Sequence, residues 1–326
     1  TDANKYITNG DNGIITKAGT DALIASAGIS MNKTKQEVYS AYFSDVINFT
    51  PALSAMASLR VDRFVTAGDL STSADDFNQT AFSPKFGIVY QPIIDKVSLF
   101  ANYMDGFANS APVTEILGDG TTRPRTFKPE HANQFEIGTK LNVFKDKLYA
   151  TFSYYDIQVK DQVYVVYTAT SQTPYQDGAQ RNKGFEAEFV ANPIDGLNIV
   201  AGYSYVDAVL NAGDPSFVGR RPESSGPRNL ANLWASYKFP EGDLKGFGLG
   251  FGGNYADKNL IMNRNGVGQF TIPSYTVLNS SIFYGTEKYT LTLKLDNIAN
   301  VDTYDGWSTI HPRNMRTVAA NFSYRF

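Results

Sequence analysis

Asn133-Gln134-Phe135-Glu136-Ile137-Gly138-Thr139-Lys140-Leu141-Asn142-Val143 alternates at every step. Phe135, Ile137, Thr139, Leu141 and Val143 take one side; Gln134, Glu136, Gly138, Lys140 and Asn142 take the other. A period of two marks a strand with two unlike faces. A short turn, Phe144 to Lys147, leads into a second such strand, Leu148–Tyr164, and a long segment, Tyr167 to Gly178, comes after it. Working outward, the same rhythm fills residues 34–326. It predicts about thirteen strands, near Gln36–Phe49, Leu53–Val65, Phe82–Tyr90, Val97–Phe107, Asn133–Phe144, Leu148–Tyr164, Arg181–Ala191, Leu197–Val209, Arg228–Phe239, Phe247–Leu260, Tyr275–Tyr284, Tyr289–Asn297 and Arg316–Phe326.

The connections sort by length. Short ones are Phe49 to Ala52, Tyr90 to Lys96, Phe144 to Lys147, Asn192 to Gly196, Phe239 to Gly246 and Gly285 to Lys288. Long ones are Thr66 to Gln79, Ala108 to Lys128, Tyr167 to Gly178, Leu210 to Gly226, Met262 to Gln269 and Ala299 to Arg313. Tight turns on one side and large loops on the other are the layout of an up-and-down sheet crossing an outer membrane. The faces agree. Tyr289, Leu291, Leu293 and Leu295 oppose Thr290, Thr292 and Lys294; Phe185, Ala187 and Phe189 oppose Glu186 and Glu188; Val318, Ala320, Phe322, Tyr324 and Phe326 oppose Asn321, Ser323 and Arg325. A soluble antiparallel sheet with one wet face is the competing reading, but it gives no reason for loop lengths to alternate. The fold class is therefore all-β, a transmembrane antiparallel up-and-down β-barrel of about 13–14 strands in this chain. Residues 1–33 are polar and read as an extracellular loop, with one weak strand around Ala22–Ile29.

Composition fits. The chain has no run of 18 apolar residues, so no membrane helix is expected, and a barrel needs none because only alternate residues meet lipid. The 20 Tyr and 22 Phe suit strands with aromatic girdles. Cysteine is absent, which removes disulfides and thiolate metal sites, and a net charge of −3 argues against general nucleic-acid binding. No nucleophile elbow, phosphate loop or paired-carboxylate motif occurs, so no enzyme is expected.

Several segments, in their order and spacing, resemble the C-terminal barrel of TonB-dependent outer-membrane receptors, particularly the ferric-siderophore branch and its hydroxamate type. They are Phe127-Lys128-Pro129-Glu130 with Gln134 to Lys140, Arg181-Asn182-Lys183-Gly184-Phe185-Glu186-Ala187-Glu188, Gly226-Pro227-Arg228-Asn229, Leu295 to Asn300, and Pro312-Arg313-Asn314-Met315-Arg316 leading to Tyr324-Arg325-Phe326. The resemblance implies a plugged barrel of roughly 22 strands. It also implies an N-terminal plug and roughly nine further strands outside this chain, a Gram-negative outer-membrane location, a TonB-type energy complex as partner, and a ferric siderophore as cargo. No resident cofactor is implied. Other cargoes (a glycan, peptide, cobalamin or haem) and a passive porin-like channel remain as alternatives.

Candidate residues follow. Glu136, Lys140, Glu186, Glu188, Lys294 and Arg325 fall on the polar face, where charge is tolerable only in a wet or plugged lumen; they are expected to meet the plug or to line a hydrated wall. Tyr103, Phe107, Tyr164, Tyr167, Tyr175, Tyr304, Trp307, His311 and Arg313 border the long loops. They are expected to contact a bulky chelate or to anchor the barrel at the interface. His131 and His311 are the only histidines. His131 reads as structural; His311 reads as an exposed loop residue, with a haem ligand as the alternative. Arg220, Arg221 and Arg228 read as a basic group that holds lipopolysaccharide phosphates or is simply solvated. Phe326 resembles the terminal aromatic signal of outer-membrane assembly.

Overall fold

The computed structural model describes residues 21, 34–68, 77–307 and 309–326. The loop and weak strand expected within residues 1–33 lie outside the described residues, apart from Asp21. The strands in chain order are β1 (Thr34–Thr50), β2 (Leu53–Gly68), β3 (Phe77–Ile93), β4 (Val97–Ala108), β5 (Val113–Ile116), β6 (Thr122–Arg125), β7 (Glu130–Val143), β8 (Leu148–Tyr167), β9 (Gln172–Ala191), β10 (Leu197–Ala212), β11 (Asn229–Lys238), β12 (Phe247–Ala256), β13 (Asn259–Arg264), β14 (Gly268–Ile272), β15 (Tyr275–Gly285), β16 (Tyr289–Asp296), β17 (Tyr304–Trp307), β18 (Thr309–Pro312) and β19 (Thr317–Tyr324).

Thirteen of these run side by side in sequence order, β1-β2-β3-β4-β7-β8-β9-β10-β11-β12-β15-β16-β19, every neighbour antiparallel. The remaining six are three small hairpins in the long connections: β5–β6, β13–β14 and β17–β18. Their strands have four to six residues, too short for an alternation to stand out.

The predicted order of strands holds, and three boundaries are corrected. Tyr167 to Gly178 is not a loop: β8 and β9 continue as 20-residue strands to a tip at residues 168–171. Pro174 and Gly178 made this stretch read as loop. Register shifts at Gln162 and Tyr164 absorb the irregularity and keep the pairing. Phe247–Leu260 is two strands, with β12 ending at Ala256 and β13 turning outward from Asn259. β3 begins at Phe77 rather than Phe82, because it pairs with β2 as far as Thr66.

Register carries the two faces around the sheet. Leu99, Thr139, Phe152 and Ala187 share one row of the apolar face, whereas Ser98, Lys140, Thr151 and Glu188 share a row of the polar face. The apolar face leaves large residues exposed along its width, among them Phe43, Phe86, Ile137, Phe185, Leu249, Ile282, Leu291 and Phe322. Among the described residues no small soluble core covers them; the buried hydrophobics there are only alanines and isoleucines. A lipid solvent satisfies such a face and water does not.

Candidate functional site

The polar face gathers four of the predicted charges. Glu136 and Lys140 on β7 and Glu186 and Glu188 on β9 line a single groove of about 490 Å³, with Ser98, Asn102, Thr151 and Ser153. Strand pairing produces this. Lys140 aligns with Thr151 and Thr151 with Glu188, while Gly138 aligns with Ser153 and Ser153 with Glu186. Lys140 lies over the Phe100 ring, 5.7 Å from its centroid. The Phe100 ring lies against Gly138, where an added Cβ would sit 2.4 Å from the Phe152 carbonyl oxygen and 2.5 Å from the ring. The same device recurs on β12: a Cβ on Gly248 would meet three carbons of the Phe283 ring at 2.2–2.8 Å. Glycine opposite an aromatic lets the ring lie against the wall instead of projecting into the interior.

Lys294 lies on the polar face of β16, aligned with Ser281 and Ala319, away from that groove. Arg325 lies beyond β19 at the short-turn end, its amide bonded to the Lys288 carbonyl at 2.8 Å. A further polar-face group was not singled out from sequence. Asp62, 1% exposed, accepts Arg60 Nε and Nη2 at 2.8 and 2.7 Å and the Ser40 hydroxyl. Its only sequence signal is the i, i+2 spacing of Arg60 and Asp62 on one face.

The described long connections bond to one another at the rim. The β8–β9 hairpin rises beyond the 9–11 residues that a tilted spanning strand needs. On one flank β5 joins β9 through Ile116 and Gln172, and Gln172 Nε2 donates to the Thr114 carbonyl at 2.8 Å. Lys128 and Gln176 exchange two bonds at 2.9 and 2.6 Å. Within β5–β6, Glu115 is 3% exposed and bound by Arg123 and Arg125. The Arg123 guanidinium holds its carboxyl below the usual range. On the other flank the Leu210 to Gly226 segment meets β13: Asn263 N donates to Glu223 Oε1 at 2.9 Å, and Arg264 Nε to the same oxygen at 3.1 Å.

The aromatic candidates separate into groups. Tyr164 and Tyr175 stack at 5.5 Å and 21°, and Tyr164 lines a cavity of about 390 Å³ with Gln180, Leu210, Asp214, Glu223 and Arg264. Burial, then its bond to Asp177, pushes the Tyr164 phenol up to about 12, so it is a neutral donor. Tyr167 is exposed at the hairpin tip. Tyr304, Trp307 and His311 fall on β17–β18, where His311 Nε2 lies 3.0 Å from Thr309 Oγ1. Arg313 follows that hairpin, bonded to the Tyr275 hydroxyl and 5.4 Å over its ring. Phe107 packs edge-on against Phe64 at 5.5 Å. Tyr103 lies on the apolar face, aligned with Phe86 and Phe135, which is the place of an interface anchor.

His131 Nδ1 sits 2.9 Å from Asp105 Oδ1, and Asn133 donates to the same carboxylate, so His131 is tied into the wall. Among the described residues no group of three or more His, Asp or Glu is placed to hold a metal ion. The three arginines of the expected basic group have separate acceptors. Arg220 donates to Asn263, Arg221 is buried and donates to the carbonyls of Val206 and Gly226 at 3.0 Å each, and Arg228 pairs with Asp207. Phe326 is fully exposed and touches the ring of Tyr324 edge-on.

Known proteins match this geometry. The family described as TonB dependent receptor-like, beta-barrel, matches residues 2–298. The metal-pseudopaline receptor CntO of Pseudomonas aeruginosa is 25% identical over 80% of this chain and 36% of its own length. The ferrichrome outer membrane transporter/phage receptor of Escherichia coli is 28% identical over 58% of this chain and 23% of its own. The solved ferripyoverdine receptor of Pseudomonas aeruginosa superposes with a TM-score of 0.74 at 19% identity, over 90% of this chain and 39% of that one. The chain thus spans well under half the length of these relatives. The matched family consists of Gram-negative outer-membrane transporters rather than enzymes. With its sheet of ordered antiparallel strands and a family match over nearly its whole length, the chain belongs to the TonB-dependent receptors as part of their β-barrel.

Proposed function

We propose that the protein carrying this chain imports a ferric siderophore, of hydroxamate type, across the outer membrane at the expense of a TonB-type energy complex. One observation carries the reading: a TonB-dependent receptor barrel whose named relatives are receptors for metal chelates. The residues supply a division of labour. The groove of Glu136, Lys140, Glu186 and Glu188, with Lys294 and Arg325 elsewhere on the wall, offers ion pairs and hydrogen bonds to an N-terminal plug. Tyr164 and Tyr175, with Tyr167, Tyr304, Trp307, His311 and Arg313 around the rim, offer flat faces and a few polar groups to a bulky chelate. Iron is cargo here, and binding rather than bond-making is the work. Affinity comes from surfaces ordered before cargo arrives.

The test is uptake of radiolabelled ferric hydroxamate by cells expressing the intact receptor, with and without a working TonB. TonB-dependent accumulation is expected. Uptake that ignores TonB, together with steady conductance in planar bilayers, would replace the importer with a passive channel.

A further inference from the structure

The rim is rich in arginine, but its arginines are already occupied. Arg123 and Arg125 hold Glu115, Arg181 holds Asp156, Arg220 holds Asn263, Arg221 holds two backbone carbonyls, Arg228 holds Asp207, Arg264 holds Glu223, and Arg313 holds Tyr275. Arg316 is the exception, and Arg220, Arg221 and Arg313 are held by neutral acceptors.

The cavity at Tyr164 sharpens this. Leu210 and Gln180 face each other across β10 and β9 in the same register as Ser204 and Glu186, so the cavity opens on the polar, inward side of the wall. Its ionisable lining is Asp214, Glu223 and Arg264. Arg264 is doubly used, bound to Glu223 at 3.1 Å and lying over the Phe217 ring at 5.3 Å. Asp214 accepts the Ser216 amide at 2.8 Å and, like Glu223, acts on the Arg264 guanidinium, so one cation faces two carboxylates. Asp177 sits against Tyr164 and adds to the negative side. Lys128, Lys160, Lys258 and Arg316 do not line this cavity. A site of this kind repels anions at short range and offers hydrogen bonds to neutral groups.

We infer that the Asp214–Glu223–Tyr164 cavity is a charge filter, which admits iron chelates of zero or positive net charge and disfavours polyanionic ones. The inference rests on the siderophore reading above and narrows it. Three hydroxamates, each losing one proton, neutralise ferric iron; three catecholates, each losing two, leave a trianion. The filter therefore separates two chemistries of similar size.

The experiment measures binding of a ferric trihydroxamate and a ferric tricatecholate to the intact receptor, wild type and Asp214→Asn, at two salt concentrations. The trihydroxamate is expected to bind at least about tenfold tighter, with the gap shrinking several-fold in Asp214→Asn and in high salt. Asn keeps the shape and the bond from Ser216, and Glu223→Gln provides a second neutralised variant. Equal or tighter binding of the tricatecholate overturns the filter and the hydroxamate type with it, while leaving import of a ferric siderophore intact. A preference that neither variant alters overturns the assignment to this cavity. Failure of both chelates to bind, with another cargo bound instead, overturns the siderophore reading and the filter with it.

Discussion

Gly248→Ala tests whether the interior wall depends on rings lying flat against glycine. The methyl group would stand 2.2, 2.4 and 2.8 Å from Cζ, Cε2 and Cε1 of Phe283, its direct cross-strand neighbour. Carbon atoms rest at roughly 3.5–4.0 Å, so the ring must withdraw by roughly 1.3 Å or swing into the interior. All three contacts are to a side chain, so the strand itself need not break. Overpacking of this kind costs about 1–3 kcal/mol. Urea unfolding of the receptor in detergent micelles, followed by heat-modifiable mobility on gels, should give an earlier midpoint for the variant. Pairing it with Phe283→Ala removes the obstacle, and the double variant should recover about 0.5–3 kcal/mol relative to the sum of the single changes. An unchanged midpoint for Gly248→Ala, or strict additivity in the pair, would refute the argument.

Other outcomes follow from the rim and the terminus. Arg221→Met should strip two part-buried carbonyls of their donor, cost about 1–2 kcal/mol locally, and speed protease cleavage within residues 213–228 while the membrane strands stay protected. The Glu115 carboxyl is lowered by Arg123, so its support for β5–β6 is present above the ordinary carboxylate range and lost as pH falls through the lowered value. Cleavage at this hairpin should therefore rise only in strong acid, and Glu115→Gln should show it at neutral pH. With its phenol near 12, Tyr164 should contribute no pH dependence to cargo binding between pH 6 and 9; Tyr164→Phe should weaken binding a few-fold at every pH. Phe326→Ala should lower the amount of receptor assembled in the outer membrane without moving the unfolding midpoint of purified protein, because that ring is fully exposed beside Tyr324.

The barrel wall was legible because lipid and interior impose opposite chemistries on alternate residues. Phe135 and Glu136, or Leu293 and Lys294, announce their faces without help from the rest of the chain. The short turns were legible for the same reason, since the alternation stops there for only a few residues. The rim was not. Gln172 to Gln180 contains Pro174, Asp177 and Gly178 and reads as loop; only its pairing with β8 makes it strand. Arg220, Arg221 and Arg228 look like one patch in sequence, but three-dimensional partners draw each to a different acceptor. The inner charges were found together because Glu136, Lys140, Glu186 and Glu188 sit at matching heights on strands two apart. Asp62 was missed because a lone carboxylate beside an arginine is common in any wet strand.

The β8–β9 ribbon has a mechanical meaning. A two-stranded ladder clamped on one flank by Gln172 and Gln176 and abutting the Tyr164 cavity on the other behaves as a braced mast. Bending it over the mouth would break those side bonds and shear its own ladder at once. The ribbon is therefore expected to stand as a fixed post at the rim, so that any movement on cargo binding falls to segments without its side bonds.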